Sequence, residues 1–183
     1  MPGAGEVSTL RERRLATDAG RVRSLVAANP NRLDVRAVVG SPPHQYDITV
    51  KCKSVLQLRS GRPVYGRSHT LRVVLPSGYP LQDSARASVL TPIYHPHVFK
   101  GSNIVCVGSQ RAVSEFLDAF VRRMFDVLRY DPRYLDPKSP ANAEAMEWAM
   151  GSAHLFPLEP AGLRLAGGDD APGPPPIVWV DQT

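Results

Sequence analysis

The stretch "YHPHVFKGSNIVCVG", from Tyr94 to Gly108, decides how this sequence is interpreted. It places a His-Pro-His triplet shortly before Cys106, and from these residues alone three interpretations are open. Cys106 is the nucleophile of a Cys–His hydrolase, a metal ligand with His95 and His97, or a small residue packed in a strand. A Cys–His hydrolase needs an acid or amide that orients the histidine base, and the local sequence supplies none. A zinc site needs a fourth ligand, which is also missing locally.

The composition predicts a globular domain of ordinary size with an extension. The chain has 183 residues, of which 43% are hydrophobic and 21% charged, so it can bury a core. Its net charge of +5 suits an acidic protein partner, and the arginines are scattered rather than grouped with aromatics, so we expect no nucleic-acid partner. No apolar run approaches the ~18 residues of a spanning helix, and no signal peptide is recognisable. We therefore expect a cytoplasmic protein without a membrane partner, in a compartment where the two thiols stay reduced.

The first part of the chain predicts a helix within residues 6–30, because apolar residues recur there at helical spacing and Pro30 ends the run. Arg11, Arg14 and Arg21 fall on the more exposed side of that helix. They form either a solvated face or a basic docking surface for another protein.

Four strands are predicted next, at residues 32–40, 46–54, 69–76 and 85–93. Short links between them favour an antiparallel meander packed on the helix, which is an α+β fold. The second strand alternates apolar and polar residues, which puts Cys52 on its apolar face as a small core residue. Residues 59–68, "RSGRPVYGRS", read as a turn or loop.

Helices follow the strands. A wide apolar stripe predicts a helix over residues 112–129. Ser139 and Pro140 predict the start of another, because serine caps helices and proline suits the first helical position. Residues 151–183 are rich in proline and glycine. We therefore assign a domain to residues 1–150 and an extension to 151–183, whose "PPPIVWV" either packs back or docks on a partner.

The order of these features resembles the ubiquitin-conjugating enzymes over about residues 6–150. The chain has "LPSGYP" at 75–80 where the family has Phe-Pro-x-x-Tyr-Pro. It has "TPIYHPHVFKGSNIVCVG" at 91–108 where the family has a His-Pro-Asn triplet, a short loop and the catalytic cysteine. It has "DPKSPANAEAMEWAM" at 136–150 where the family often has Asn-Ser-Pro-Ala-Asn. The resemblance implies the ubiquitin-conjugating fold.

The resemblance also implies a function. Cys106 would accept a ubiquitin-like protein from an activating enzyme as a thioester and pass it to a lysine of a target protein. The activating enzyme would dock on the N-terminal helix, near Arg11, Arg14 and Arg21. No cofactor or metal is implied, since ATP is used by the activating enzyme.

The chain departs from the family pattern at the triplet, which ends in His97 instead of asparagine. Its two tryptophans lie late in the sequence, and the link to Cys106 is about one residue longer than usual. Such divergence resembles bacterial relatives of the family. By the same resemblance, His97 or Asn103 would stabilise the reaction's oxyanion, His95 would shape the loop, and Ser139 would face the incoming lysine. A weakly active or inactive module of the same fold, which binds a ubiquitin-like protein or its activating enzyme, is the alternative.

Overall fold

The computed structural model describes residues 9–106 and 115–165 and confirms the α+β class. An N-terminal helix precedes an antiparallel sheet, and further helices follow the sheet. The helices are α1 (Leu10–Ala28), α2 (Leu117–Leu128) and α3 (Ala143–Gly151). The strands are β1 (Leu33–Val39), β2 (Gln45–Val50), β3 (Ser54–Arg59), β4 (Arg62–Gly66), β5 (His69–Val74) and β6 (Arg86–Val89). No helix in the described ranges is both long and apolar enough to cross a membrane.

Helix α1 begins with a reciprocal cap. The Glu12 N–H donates to Thr9 Oγ1 at 3.2 Å, and the Thr9 N–H donates to Glu12 Oε2 at 2.6 Å, so the side chains replace partners that the first helical turn lacks. The helix buries the face carrying Leu15, Val22 and Leu25 in the main core.

The main sheet has the order β1-β2-β5-β6, with every neighbouring pair antiparallel. This is the predicted four-stranded meander. Ile48 of β2 lies opposite Leu71 of β5, and both are fully buried. Cys52, just after β2, is also buried, as its alternating sequence predicted, and burial raises the pKa of its thiol to about 12.

A β-hairpin, not a loop, occupies residues 54–66. Strands β3 and β4 pair antiparallel, so the interpretation of residues 59–68 as a turn or loop is wrong. Ser60 and Gly61 form the turn, with φ of 50° and 75°, the positive values that match the twist of a two-residue hairpin. Pro63 made β4 hard to recognise in the sequence, because proline is rare inside strands. It lies opposite Leu58 in a two-stranded ribbon, where a strand tolerates a residue without an N–H.

Both later helices begin beyond their predicted starts. Glu115 and Phe116 are not helical, so the predicted helix 112–129 is wrong at its N-terminal end; residues 112–114 lie outside the described ranges. Helix α3 begins at Ala143, capped by Asn142, whose side chain accepts the Ala145 N–H at 3.2 Å. Ser139 is therefore not the helix cap.

Residues 152–165 pack against the domain. The Leu158 N–H donates to the Arg129 carbonyl at 2.9 Å, and the Phe156 ring stacks on Tyr130 with centroids 4.8 Å apart. Farther along, the Arg164 N–H donates to Asn29 Oδ1 at 2.8 Å. Contacts with the domain thus continue to Arg164. The predicted extension's remainder, 166–183 with its "PPPIVWV", lies outside the described residues.

Candidate active site

The segment that ends at Cys106 is held on both sides by backbone hydrogen bonds. The Val105 N–H donates to the Ala87 carbonyl of β6 at 2.9 Å, and the Cys106 N–H donates to the His97 carbonyl at 2.7 Å. Val105 is buried and Ile104 is exposed, so the alternation of an extended chain turns Cys106 away from the core. Cys106 is half-buried, in contrast to Cys52.

A tight turn brings the triplet and Cys106 side by side. The Phe99 N–H donates to the Ile104 carbonyl and the Asn103 N–H to the Phe99 carbonyl, both at 2.9 Å. Gly101 and Asn103 have φ of 93° and 55°; glycine takes such values freely and asparagine tolerates them. The Asn103 carbonyl accepts the Val89 N–H at 2.9 Å, so the predicted donor Asn103 is positioned through its backbone.

His95 is fully buried beneath this turn and bonds only to backbone. Its Nε2 donates to the Val127 carbonyl at 2.8 Å, and its Nδ1 accepts the His97 N–H at 3.0 Å. The two bonds require a neutral ring with its proton on Nε2. Burial, with His97 nearby, lowers the pKa of His95 to about 3. The Tyr130 hydroxyl donates to the Tyr94 carbonyl and fixes the chain just before His95.

His97 has only 6% of its surface exposed. Its Nε2 lies 2.9 Å from the backbone nitrogen of Asp136, which donates to it. Since a backbone N–H cannot accept, Nε2 carries no proton, and the neutral ring holds its proton on Nδ1. Burial lowers the pKa of His97, although the Asp136 carboxylate opposes that effect. His97 is thus a neutral Nδ1–H donor.

The loop of residues 136–142 completes the site. It is attached to the triplet at both ends, through Asp136 and through the Asn142 N–H, which donates to the Pro96 carbonyl at 2.9 Å. Ser139 lies exposed between these two attachment points. Because Asn142 caps α3, the Ser139 hydroxyl is not engaged at the helix end. The structure therefore brings together the triplet, Cys106 and the loop carrying Ser139.

Two residues of this loop were not predicted from the sequence. Asp136 acts through its backbone N–H, which leaves no side-chain signal. Asn142 was missed because Ser139 and Pro140 offered a stronger helix start.

The geometry does not favour the metal or hydrolase interpretations. Both ring nitrogens of His95 and one of His97 are engaged by backbone groups. Across residues 9–106 and 115–165, no group of three His, Cys, Asp or Glu side chains is placed to hold a metal ion. In the same ranges no histidine nitrogen is hydrogen-bonded to the Cys106 thiol, as a Cys–His pair would require.

Arg14 is a packing residue rather than an exposed charge. Only 14% of its side chain is exposed, and its Nε donates to Asp18 Oδ2 at 2.9 Å. Its guanidinium lies 4.1 Å from the centre of the Phe116 ring. Asp18 is fully buried and also accepts the Leu117 N–H at 3.0 Å. The expectation that Arg14 lies on the exposed side is wrong, because Asp18 draws it into the junction of α1 and α2.

Arg11 and Arg21 lie farther out. Arg11 Nη2 is 3.3 Å from the Leu75 and Pro76 carbonyls, and Arg21 is exposed while pairing with Asp118 at 2.7 Å. Each of the three predicted docking arginines therefore has a partner within the chain.

Comparisons with known proteins identify the fold. No protein-family model and no curated protein matches the sequence. Among solved structures, the chain is similar to a Plasmodium yoelii protein assigned as a ubiquitin conjugating enzyme, with a TM-score of 0.56 and 15% identity over 84% of this chain and 92% of the other. It is similar to a Trypanosoma cruzi protein with the same assignment, with a TM-score of 0.56 and 17% identity over 85% and 97%. At such identities the likeness concerns the fold alone, and the chain has the ubiquitin-conjugating fold.

Proposed function

We propose that this chain is a conjugating enzyme that carries a ubiquitin-like protein on Cys106 and transfers it to a lysine. One observation carries the proposal. On a ubiquitin-conjugating fold, a half-buried cysteine is hydrogen-bonded through its backbone to a His-Pro-His triplet. The 136–142 loop, bonded to the same triplet, forms the other side of the site.

The chemistry consists of two acyl transfers. In the first, the Cys106 thiolate attacks the thioester carbonyl of the ubiquitin-like protein on the activating enzyme, and that enzyme's thiolate leaves. In the second, a neutral lysine amine attacks the new thioester, a C–N bond forms, and the Cys106 thiolate leaves while the amine proton passes to solvent. Sulfur suits both steps, as it is nucleophilic near neutral pH and also leaves readily. No organic cofactor or metal takes part.

The second step needs a hydrogen-bond donor for the tetrahedral oxyanion. We assign this role to the Nδ1–H of His97, the ring position left as the donor by its bond to the Asp136 backbone. Asn103 is the other candidate, since its side-chain amide makes no hydrogen bond to another described residue. Loss of such a donor slows acyl transfer by about 10²–10³. A variant His97→Ala should therefore slow release to lysine more than it slows charging.

The remaining roles follow the same scheme. Ser139, exposed on the 136–142 loop, would orient the incoming lysine, and His95 would hold the triplet through Val127. The activating enzyme would dock on α1, where Arg21 is the exposed member of the three predicted arginines. Arg21→Glu should slow charging of Cys106 and leave release of a preformed thioester unchanged.

A charging assay tests the proposal. The protein is incubated with ATP, an activating enzyme and a ubiquitin-like protein, and products are separated with and without reductant. We expect a reductant-sensitive adduct that Cys106→Ala abolishes and Cys52→Ala retains. An adduct that survives Cys106→Ala would contradict the proposal.

A non-catalytic binding module of the same fold is the second candidate, favoured by His97 at the position where the family has asparagine. Thiol alkylation separates the two. Because Cys52 is buried and its thiol pKa is raised to about 12, an enzyme should show Cys106 reacting long before Cys52. Equal inertness of both thiols would favour the binding module.

A further inference from the structure

One stretch of this chain carries basic residues and no acidic ones. No Asp or Glu occurs between Ile48 and Gln82, which nevertheless carries six basic residues. Within residues 9–106 and 115–165, only Arg72 among them has a carboxylate partner, Asp47, at 2.7 Å. The other five form no ion pair with any residue that the structure describes: Lys51, Lys53, Arg59, Arg62 and Arg67. They lie on the β3–β4 hairpin and at its base, a region that we call the basic hairpin.

Two of these charges oppose each other across the strands. Arg59 lies directly opposite Arg62, on either side of the Ser60–Gly61 turn, and both are exposed. Like charges in directly opposed positions destabilise a hairpin, and here no described carboxylate relieves them. A local rule that is broken with no compensation from a described residue points to a binding role.

The basic hairpin is fixed next to the candidate active site. The Tyr94 N–H, one residue before the triplet, donates to the Val55 carbonyl of β3 at 2.9 Å. Val55 is fully buried in a second core with Tyr130 and Ala149. The hairpin is therefore attached through its backbone to the chain just before the triplet.

A cavity of about 310 Å³ opens at the base of the hairpin. Lys51, Lys53, Arg67 and Ser68 line it, together with Glu159. Glu159 is already satisfied, because Oε2 accepts the Lys53 N–H at 3.0 Å and Oε1 pairs with Arg32 at 2.8 Å. The charged groups of Lys51 and Arg67 pair with no described carboxylate and therefore remain available to one from a partner.

We propose that the basic hairpin docks an acidic segment of a protein partner. A polypeptide with glutamate or aspartate residues brings carboxylates for the arginines and lysines of the hairpin. Nucleic acid also gains much of its affinity by stacking on aromatic faces. The aromatic ring on this surface, Tyr65, has its face covered by Lys53 Nζ, 3.9 Å from the ring centre. This docking surface does not depend on acyl chemistry at Cys106.

The test is a binding titration with the full chain. The probe is a fluorescein-labelled peptide of alternating glutamate and glycine, and the control probe has glutamine in place of glutamate. The hairpin variant carries both Arg59→Gln and Arg62→Gln. The matched variant carries both Arg13→Gln and Arg23→Gln, which removes two exposed charges from α1. If each arginine contributes as exposed ion pairs do, the hairpin variant should bind the acidic peptide roughly three- to thirtyfold more weakly, and the matched variant about as tightly as the parent.

Three outcomes would overturn the proposal: equal weakening by the two variants, equal affinity for the glutamine peptide, or tighter hairpin-dependent binding of a single-stranded oligonucleotide. Thermal unfolding controls for folding, and the hairpin variant should be at least as stable as the parent because it relieves the opposed charges. Since binding is read out without the activating enzyme, failure of Cys106 to charge would refute the proposed function and leave this result standing.

Discussion

Lowering the pH from about 7 to about 5 should destabilise this fold through its buried histidines, with His95 contributing most clearly. His95 is neutral in the native state, since Nε2 donates to Val127 and Nδ1 accepts the His97 N–H. A proton on Nδ1 would break the second bond and place a charge in the core. The pKa of His95 is therefore lowered to about 3, whereas an unfolded chain restores a value near 6.5.

The sign and size follow from proton linkage. Below about pH 6.5, His95 binds a proton in the unfolded state but not in the native state. The free energy of unfolding therefore falls as the pH falls, until about pH 3. At about pH 5 the free energy of unfolding is about 2 kcal/mol lower than at about pH 7 because of His95 alone. His69 and His97, whose pKa values are also lowered by burial, act in the same direction. Aspartates such as Asp47 and Asp131, with lowered pKa values, contribute mainly at more acidic pH.

The assay is urea unfolding at both pH values and constant ionic strength. The variant His95→Gln should be less stable at neutral pH, because it loses packing against Tyr130, whose ring centre lies 4.4 Å away, but its stability should fall by about 2 kcal/mol less between the two pH values. His154→Gln is the control, since His154 is exposed. An unchanged pH dependence in His95→Gln would refute the reasoning.

Three further predictions concern stability and are measured by chemical unfolding. Asp18→Ala should lower the free energy of unfolding by about 3–5 kcal/mol, because it removes the carboxylate that binds the buried Arg14 and the Leu117 N–H. Asp34→Ala, which removes a surface ion pair, should lower it by less than about 1 kcal/mol. Equal losses would contradict the buried contact between α1 and α2. Asn142→Ala should cost about 1 kcal/mol, whereas Ser139→Ala should be nearly neutral; the reverse order would restore Ser139 as the cap. Tyr130→Phe should cost about 1 kcal/mol through its bond to the Tyr94 carbonyl, and no loss would show that bond to be unimportant.

The sheet and first helix were predictable because their side chains repeat with the period of the element. The alternation in β2 identified both the strand and the burial of Cys52. The hairpin was missed, although "SG" is a turn signal, since Pro63 suggested a break and an edge position cannot be recognised from the sequence. Arg14 was misplaced for a related reason: its partner Asp18 is buried only when α1 meets α2.

The candidate site was predictable only in outline. The order of the triplet, Cys106 and the residues around Ser139 indicated which segments meet. The contacts that join them are mostly made by backbone groups, such as the Asp136 N–H to His97 and the Cys106 N–H to the His97 carbonyl. Backbone donors are common to nearly all residues, so the sequence carries no signal for them, and the tautomer of His97 follows from structure alone.

The most direct test of the central claim is an intact-mass measurement on Cys106→Ser after incubation with ATP, the activating enzyme and the ubiquitin-like protein. If residue 106 is the acyl carrier, the serine variant should gain the mass of the ubiquitin-like protein less one water, as an oxyester that survives reductant and is cleaved by hydroxide, with the modified peptide containing residue 106. The parent protein should lose its own adduct in reductant. A parent that never gains this mass, or an adduct that maps to Cys52 or to a lysine alone, would contradict the account.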